Sequence, residues 1–200
     1  MPNKPLTDAI NALTAYANGV TGESDTTLSE AVHTLADGYG QGGGDSIWNT
    51  IVDRTVTEVN DKDGLCKTVE DYAFRSCAQL TSAIFPSATS AGNSAFYSCP
   101  YLLSVDLPSA TVIRNYAFYG CKRLKTLILR NSNAICGLVS ANAFYNTPIA
   151  SGTGYIYVPA SLIETYKTDS KWSTYAAQFR ALEDYTVDGT TTGDLDPNKI

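Results

Sequence analysis

At 200 residues, with 44% apolar and 17% charged side chains, the chain holds enough apolar material for one packed core with appendages, and wholesale disorder is excluded. A formal charge of −6 argues against a nucleic-acid partner, because phosphate-backbone binding draws on clustered Lys and Arg. No stretch approaches the ~20 consecutive apolar residues of a membrane span, so membrane insertion is not expected. Met1 to Leu13 also lacks the apolar run of a signal peptide, so ordinary secretion is not expected either.

In chain order, Leu6, Ile10, Leu13 and Ala17 recur at helical spacing, and Gly19 is placed to end that helix. Thr27-Leu-Ser-Glu30 forms a capping box for a second helix, whose stripe Ala31, Val32 and Leu35 stops at Gly38. The stripes of this helical pair, residues 1–37, are too narrow to make a core alone. They predict an attachment or oligomerisation segment, hence a homo-oligomer, followed by a Gly-rich linker over residues 38–45. Residues 46–68 are β-rich through Ile47, Trp48, Ile51, Val52, Val56 and Val59 and read as an N-terminal β cap.

Self-similarity then dominates. Ala73-Phe74, Ala95-Phe96 and Ala117-Phe118 recur at intervals of 22 residues, and Ala143-Phe144 follows at 26 after an insertion around Ser132 to Cys136. Five residues before each Phe stands Val69, Ala91, Ile113 or Val139. Three residues after it stand Cys77, Cys99, Cys121 and, in the fourth unit, Thr147; Leu80, Leu102 and Leu124 come six after. The stretch beyond each Leu alternates, with Ala83 and Phe85, Val105 and Leu107, Leu127 and Leu129, and Ile156 and Val158 on one face, which predicts half-buried strands. Four such coils over residues 69–159, too small to stabilise themselves singly, would stack into a solenoid with a parallel sheet along one side. Ser161-Leu-Ile-Glu164 gives another capping box. With Leu162, Tyr166, Trp172, Tyr175, Phe179 and Leu182 it predicts a helical C-cap over residues 160–185, before a flexible tail at 186–200.

The pattern A-F-x-x-C-x-x-L followed by a strand ending in Pro resembles the BspA-type leucine-rich repeats of bacterial surface proteins, phages and some protists. The run from Tyr157 to Lys167, followed by Lys171-Trp-Ser-Thr-Tyr175, resembles the closing segment of such proteins. The expected fold class is therefore an α/β repeat solenoid, with an N-terminal helical pair and a C-terminal helical cap. Thr147 and Ser151-Gly-Thr-Gly154 depart from the pattern, so the last coil is expected to bulge. The helical start around Asp8-Ala9-Ile10, with its second short helix and glycine run, resembles segments near the N-termini of phage tail and tail-appendage proteins. That resemblance implies attachment to phage structural proteins, or to copies of itself, on a virion.

Catalytic and metal chemistry finds little footing. Of the five cysteines, Cys77, Cys99 and Cys121 share one repeat column and are expected to stack as buried free thiols; Cys66 and Cys136 are less defined, and no C-x-x-C ligand pair exists. His33 is the single histidine and lies away from the repeats, so it reads as a helix-surface residue and not as part of a triad. Asn60-Asp-Lys-Asp-Gly64 with Glu70 has the look of a calcium loop, but Val59 stands where the first carboxylate is needed, and a tight Asp-Gly turn is the better reading. Gly38 to Gly44 lacks the Lys and following helix of a phosphate loop. No cofactor and no enzymatic activity are expected.

The candidate binding residues are the column one place after each core Phe: Arg75, Tyr97, Tyr119 and Tyr145. If Phe points inward its successor points outward, and the tyrosines would form a ladder able to stack on sugar rings or anchor a protein. The alternative is that they only pack on neighbouring coils. A second candidate surface is the outward sheet column Ile84, Asp106 and Ile128 with Ser82, Ser104 and Thr126. The expected function is that of a phage virion component whose repeats bind a protein or glycan on a bacterial surface; a bacterial BspA-like cell-surface adhesin is the alternative.

Overall fold

The computed structural model describes residues 54–62, 64, 66–187, 190 and 191. The expected helical pair at 1–37, the linker at 38–45 and His33 lie outside the described residues. Within them the period-2 stretches form one six-stranded parallel sheet. Its order is β1 (Glu58–Asn60), β2 (Ser82–Ile84), β4 (Ser104–Asp106), β6 (Thr126–Ile128), β8 (Tyr155–Val158) and β9 (Phe179–Ala181). A second side carries a three-stranded parallel sheet of two-residue strands, β3 (Ser90–Ala91), β5 (Val112–Ile113) and β7 (Gly137–Leu138), which Val69 extends by bridging Ala91.

The Ala-Phe segment makes the third side, and its backbone amides divide their work. Alternate ones close local turns, as Ala73 N to Glu70 O, Arg75 N to Tyr72 O and Cys77 N to Phe74 O. The others reach the next coil, as Tyr72 N to Asn93 O, Phe74 N to Ala95 O and Ser76 N to Tyr97 O. Buried backbone groups must be paired, and a coil this short can pair only about half of its own. Stacking supplies the rest. The alternation needs left-handed residues two before and two after each Phe: Tyr72, Ser94 and Tyr116 on one side, Ser76, Ser98, Gly120 and Asn146 on the other, at φ between 53° and 73°.

Columns of Phe, Leu and Cys pack in the interior with the inward strand residues, among them Ala83, Val105, Leu127 and Ile156. Phe74, Phe96, Phe118 and Phe144 stack with ring centroids 5.2, 5.3 and 5.4 Å apart and planes within 14° of parallel. Leu80, Leu102 and Leu124 are fully buried beside them, and the cysteines form the third column. The Cys99 thiol donates to Phe74 O at 2.9 Å and the Cys121 thiol to Phe96 O at 3.0 Å, so each thiol ties its coil to the one before. All five cysteines are free.

Both ends are closed by side chains that replace a missing coil. Arg75 O stands where Tyr97 O and Tyr119 O accept from the preceding coil, and it accepts instead from the Arg54 guanidinium. At the far end Phe144 meets Trp172 at 5.8 Å and Tyr175 at 5.3 Å. Trp172 Nε1 donates to Cys136 O, Tyr175 Oη donates to Ala141 O, each at 2.6 Å, and Cys136 N donates to Tyr166 Oη at 2.8 Å.

The structure corrects several expectations. Of the segment read as an N-terminal β cap, residues 46–53 lie outside the described residues, and Glu58–Asn60 forms β1, the end strand of the main sheet. In the C-cap, Ser161 and Glu164 make no capping box. Pro159 ends β8 and Leu162 N bonds back to its carbonyl, so Ser161 sits inside a 3-10 turn (Ala160–Leu162) instead of in extended N-cap geometry, and helix α1 runs only over Ile163–Thr168. Glu164 pairs with Lys167 at 2.8 Å. The same segment supplies strand β9, which sequence periodicity did not indicate. Val139 is 44% exposed and not in the Val69 column; Leu138 pairs with Ile113 instead, because three of the four inserted residues precede β7 and one follows it. The bulge in the last coil is present: the amides of Ser151, Gly152, Thr153 and Gly154 fold back on Thr147, Pro148 and Ile149. A Cβ on Gly154 would lie 2.9 Å from Ile149 N, so only glycine fits there. Thr186–Val187 (β10) and Thr190–Thr191 (β11), expected within a flexible tail, pair as a short antiparallel hairpin.

Two outcomes follow from this packing. Hydrogen bonding to Cys99, then burial, drives the Cys77 thiol far up; hydrogen bonding to Cys121 and burial do the same to Cys99, against an opposing contribution from Cys77. Burial pushes Cys66 and Cys136 up to about 12, with Asp61 assisting at Cys66. These four should resist iodoacetamide at pH 8 until the chain is unfolded in guanidinium, and peptide mapping without reductant should find no bond from Cys99 to Cys77 or Cys121. Phe96→Ala, which opens a cavity between two stacked rings, should lower stability by about 3–5 kcal/mol in urea unfolding.

Candidate functional site

The residues one place after each core Phe do come together. Inter-coil bonds pin the backbone on both sides of them: Phe96 N to Ala117 O at 2.7 Å and Ser98 N to Tyr119 O at 2.8 Å, then Phe118 N to Ala143 O and Gly120 N to Tyr145 O at 2.9 Å. With Phe turned inward, the successor projects outward and repeats at the coil spacing. Tyr97 and Tyr119 stack at 4.9 Å with planes 3° apart, and Tyr119 and Tyr145 at 5.0 Å and 17°. Arg75 completes the row, its guanidinium 5.4 Å from the Tyr97 ring and 5.8 Å from Tyr72. Tyr116 meets Tyr119 edge-on at 5.9 Å.

This geometry limits what the row offers. Each stacked pair is worth roughly 0.5–1.5 kcal/mol beyond area burial, so the tyrosines do pack on one another. The inner faces of Tyr97 and Tyr119 are thereby covered by Arg75 and their ring neighbours and are closed to a sugar ring. Outward they present ring edges and hydroxyls in a straight line, a form suited to hydrogen bonding and to flat contact with another surface. Among the described residues Tyr145 has a ring neighbour on one side only and is 57% exposed, which leaves its far face open.

Of the second candidate surface, Ser82, Ser104 and Thr126 are half-buried, but the column of Ile84, Asp106 and Ile128 is not available. Ile84, Asp106 and Ile128 do lie in register on the outward face of the sheet, but all three are buried although Ile84 and Ile128 do not belong to the interior cluster. Asp106 is 3% exposed and takes a two-pronged hydrogen bond from Arg130. Burial pushes its carboxyl above the usual range against the pull of Arg130. Tyr185, from the segment beyond β9, lies 4.7 Å from Tyr157 in the same column, so the chain returns over this face. A strand-period reading cannot show that return, because it assigns the outward face to solvent.

Other motifs settle into structural roles. Asp61 and Gly64 make the tight turn: Gly64 N donates to Asp61 O at 2.9 Å with Gly64 at φ +62°, and Asp61 Oδ2 accepts from Cys66 N at 2.9 Å. Among the described residues no three His, Cys, Asp or Glu side chains gather as a metal-binding group, and no helix is long and apolar enough to cross a membrane. Tyr72 and Tyr116, which join the row, share the left-handed column two before Phe. Ser94 interrupts that column, which hid it as an aromatic repeat. Two further surface pairs escaped the repeat reading: Arg123 over Tyr101 at 5.5 Å and Arg180 over Tyr155 at 4.3 Å.

The BspA type leucine rich repeat region matches residues 55–166 in six copies. That span begins before β1 and ends within α1, so it exceeds the four coils of residues 69–159 at both ends. No curated protein matches the chain. With the repeat covering more than half of its length, the chain belongs to the BspA type leucine-rich-repeat family.

Proposed function

We propose that this chain works by binding and not by catalysis, as a virion component of a phage, in the tail or an appendage. Its repeats would hold a protein or glycan on a bacterial surface. The observation that carries the reading is the outward row Arg75, Tyr97, Tyr119 and Tyr145, a straight, rigid, half-exposed aromatic surface built on a solenoid whose interior does not need it. Tyrosine gives large contact area at low entropic cost, and rigid anchors waste little free energy on ordering. The virion setting rests on the sequence of residues 1–44 and its resemblance to phage tail-appendage segments. The second reading, a BspA-like adhesin on a bacterial cell surface, is favoured by the family match alone. Mass spectrometry of purified virions separates the two.

Replacing Tyr97, Tyr119 and Tyr145 together with Ala should weaken binding to bacterial envelopes by far more than tenfold, since each buried anchor contributes on the order of 1–2 kcal/mol. Circular dichroism should still report the repeat fold, because the Phe column is untouched. Equal binding by the folded variant rejects the row. Removing residues 1–44 should abolish oligomers in light scattering and leave the repeats folded; an unchanged oligomer mass counts against the attachment role of that segment.

A further inference from the structure

The charge of this chain is unevenly placed. Between Asp106 and Glu164 there is no acidic residue, and five basic ones occur: Arg114, Lys122, Arg123, Lys125 and Arg130. The rest of the chain therefore carries more than the whole net charge of −6. Arg130 is engaged by Asp106, but Lys122, Arg123 and Lys125 are exposed and, among the described residues, have no carboxylate partner. All three lie in the turn that leads from Cys121 into β6, at the N-terminal edge of the main sheet.

That edge is also where the unassigned tyrosines stand. Tyr101 holds the position of Arg123 one coil earlier, is 52% exposed and carries the Arg123 guanidinium on its ring. Tyr155 opens β8 beside Thr126, donates its amide to Lys125 O at 2.7 Å and carries the Arg180 guanidinium at 4.3 Å. The half-buried hydroxyls of Ser104 and Thr126 lie between them in register. The backbone is held throughout, with Lys125 N bonded to Leu103 O at 3.0 Å, so the groups are fixed before any ligand arrives.

We propose that this edge is a second binding site, distinct from the tyrosine row, for an anionic polysaccharide. Cations alone would fit any polyanion. Two rings, each with a guanidinium seated on it, and a line of hydroxyls add what a sugar needs: apolar contact for its C–H face and hydrogen-bond partners for its hydroxyls. A uronate polymer combines the carboxylates that match Lys122, Arg123 and Lys125 with rings that match Tyr101 and Tyr155. The proposal deepens the reading of the chain as a surface-binding module, but its site and its test are separate.

The test uses the full chain and polygalacturonate as the probe, with dextran and a short DNA duplex as comparisons, in calorimetry or biolayer interferometry. Polygalacturonate should bind and dextran should not, and affinity should fall about tenfold or more between roughly 50 and 200 mM salt, as expected for a few displaced counterions. Changing Lys122, Arg123 and Lys125 together to Ser should cost at least tenfold, whereas Lys122→Arg with Lys125→Arg should retain binding. Tyr101→Ala with Tyr155→Ala should weaken polygalacturonate and leave any residual duplex binding unchanged. The Tyr97, Tyr119 and Tyr145 triple variant should bind polygalacturonate as wild type does, so loss of envelope binding there with uronate binding intact leaves this site standing. No binding to polygalacturonate at low salt, a duplex bound equally well, or a folded triple-Ser variant that binds like wild type would each overturn the proposal.

Discussion

In the turn that carries Ala and Phe, alternate amides leave their own coil and reach a carbonyl of the next, from Phe74 to Ala95, Phe96 to Ala117 and Phe118 to Ala143. The same transfer is repeated along both sheets, so equivalent residues of successive coils are held about one strand spacing, roughly 5 Å, apart on all three sides. Every inward column must then be able to stack on itself at that distance. Phenyl rings can, at 5.2–5.4 Å, and so can leucines and thiols. A bulky polar side chain cannot. Interior composition is thus a consequence of the inter-coil bond, and the recurring Phe, Cys and Leu are its visible trace.

The same bond has a cost. To aim one amide outward and the next inward, the chain places a left-handed residue on each side of every Ala-Phe pair in the first three coils. An L-residue there sacrifices roughly 1–2 kcal/mol, least for glycine and for small polar side chains such as Asn. Ser76, Ser98, Gly120 and Asn146 fit that tolerance; Tyr72 and Tyr116 do not, and their retention in the conformation shows how firmly the neighbouring coil holds the backbone. In the fourth coil, which has no further Ala-Phe turn to bond, a 3-10 helix (Ala141–Phe144) replaces the first left-handed position.

The sequence showed most where physics is periodic. The inward Phe, Leu and Cys columns, the strand alternation, the free thiols and the outward row of Arg75, Tyr97, Tyr119 and Tyr145 all follow from a 22-residue period and are all present. What escaped was aperiodic. Strand β9 arises because Phe179 lies beside Ile156, a pairing that no local pattern marks. The failed capping box at Ser161 depended on Pro159 starting a turn two residues early. The burial of the outward column was hidden for the same reason: Tyr185 lies against Tyr157, a contact between residues far apart in the chain. The single-face register of Leu138 depended on where an insertion fell, and an insertion leaves no period to count.

Outward columns obey a different rule, and this separates folding from recognition. Because they need not stack, they are free to change from coil to coil: Ala78, Pro100 and Lys122 share one column, Gln79, Tyr101 and Arg123 the next. The Phe successor column does not use this freedom; three tyrosines follow one another and an arginine that also stacks begins the row. Their mutual contact adds stability, yet the interior is already closed without them. A column that repeats where it is not required to is informative in one way, and a column that changes from neutral to cationic within one step is informative in another. The first makes a uniform strip, the second a local change of charge. The solenoid carries both on one rigid frame because the bond that sets its spacing uses only the backbone and the inward side chains, leaving the outward ones free to differ.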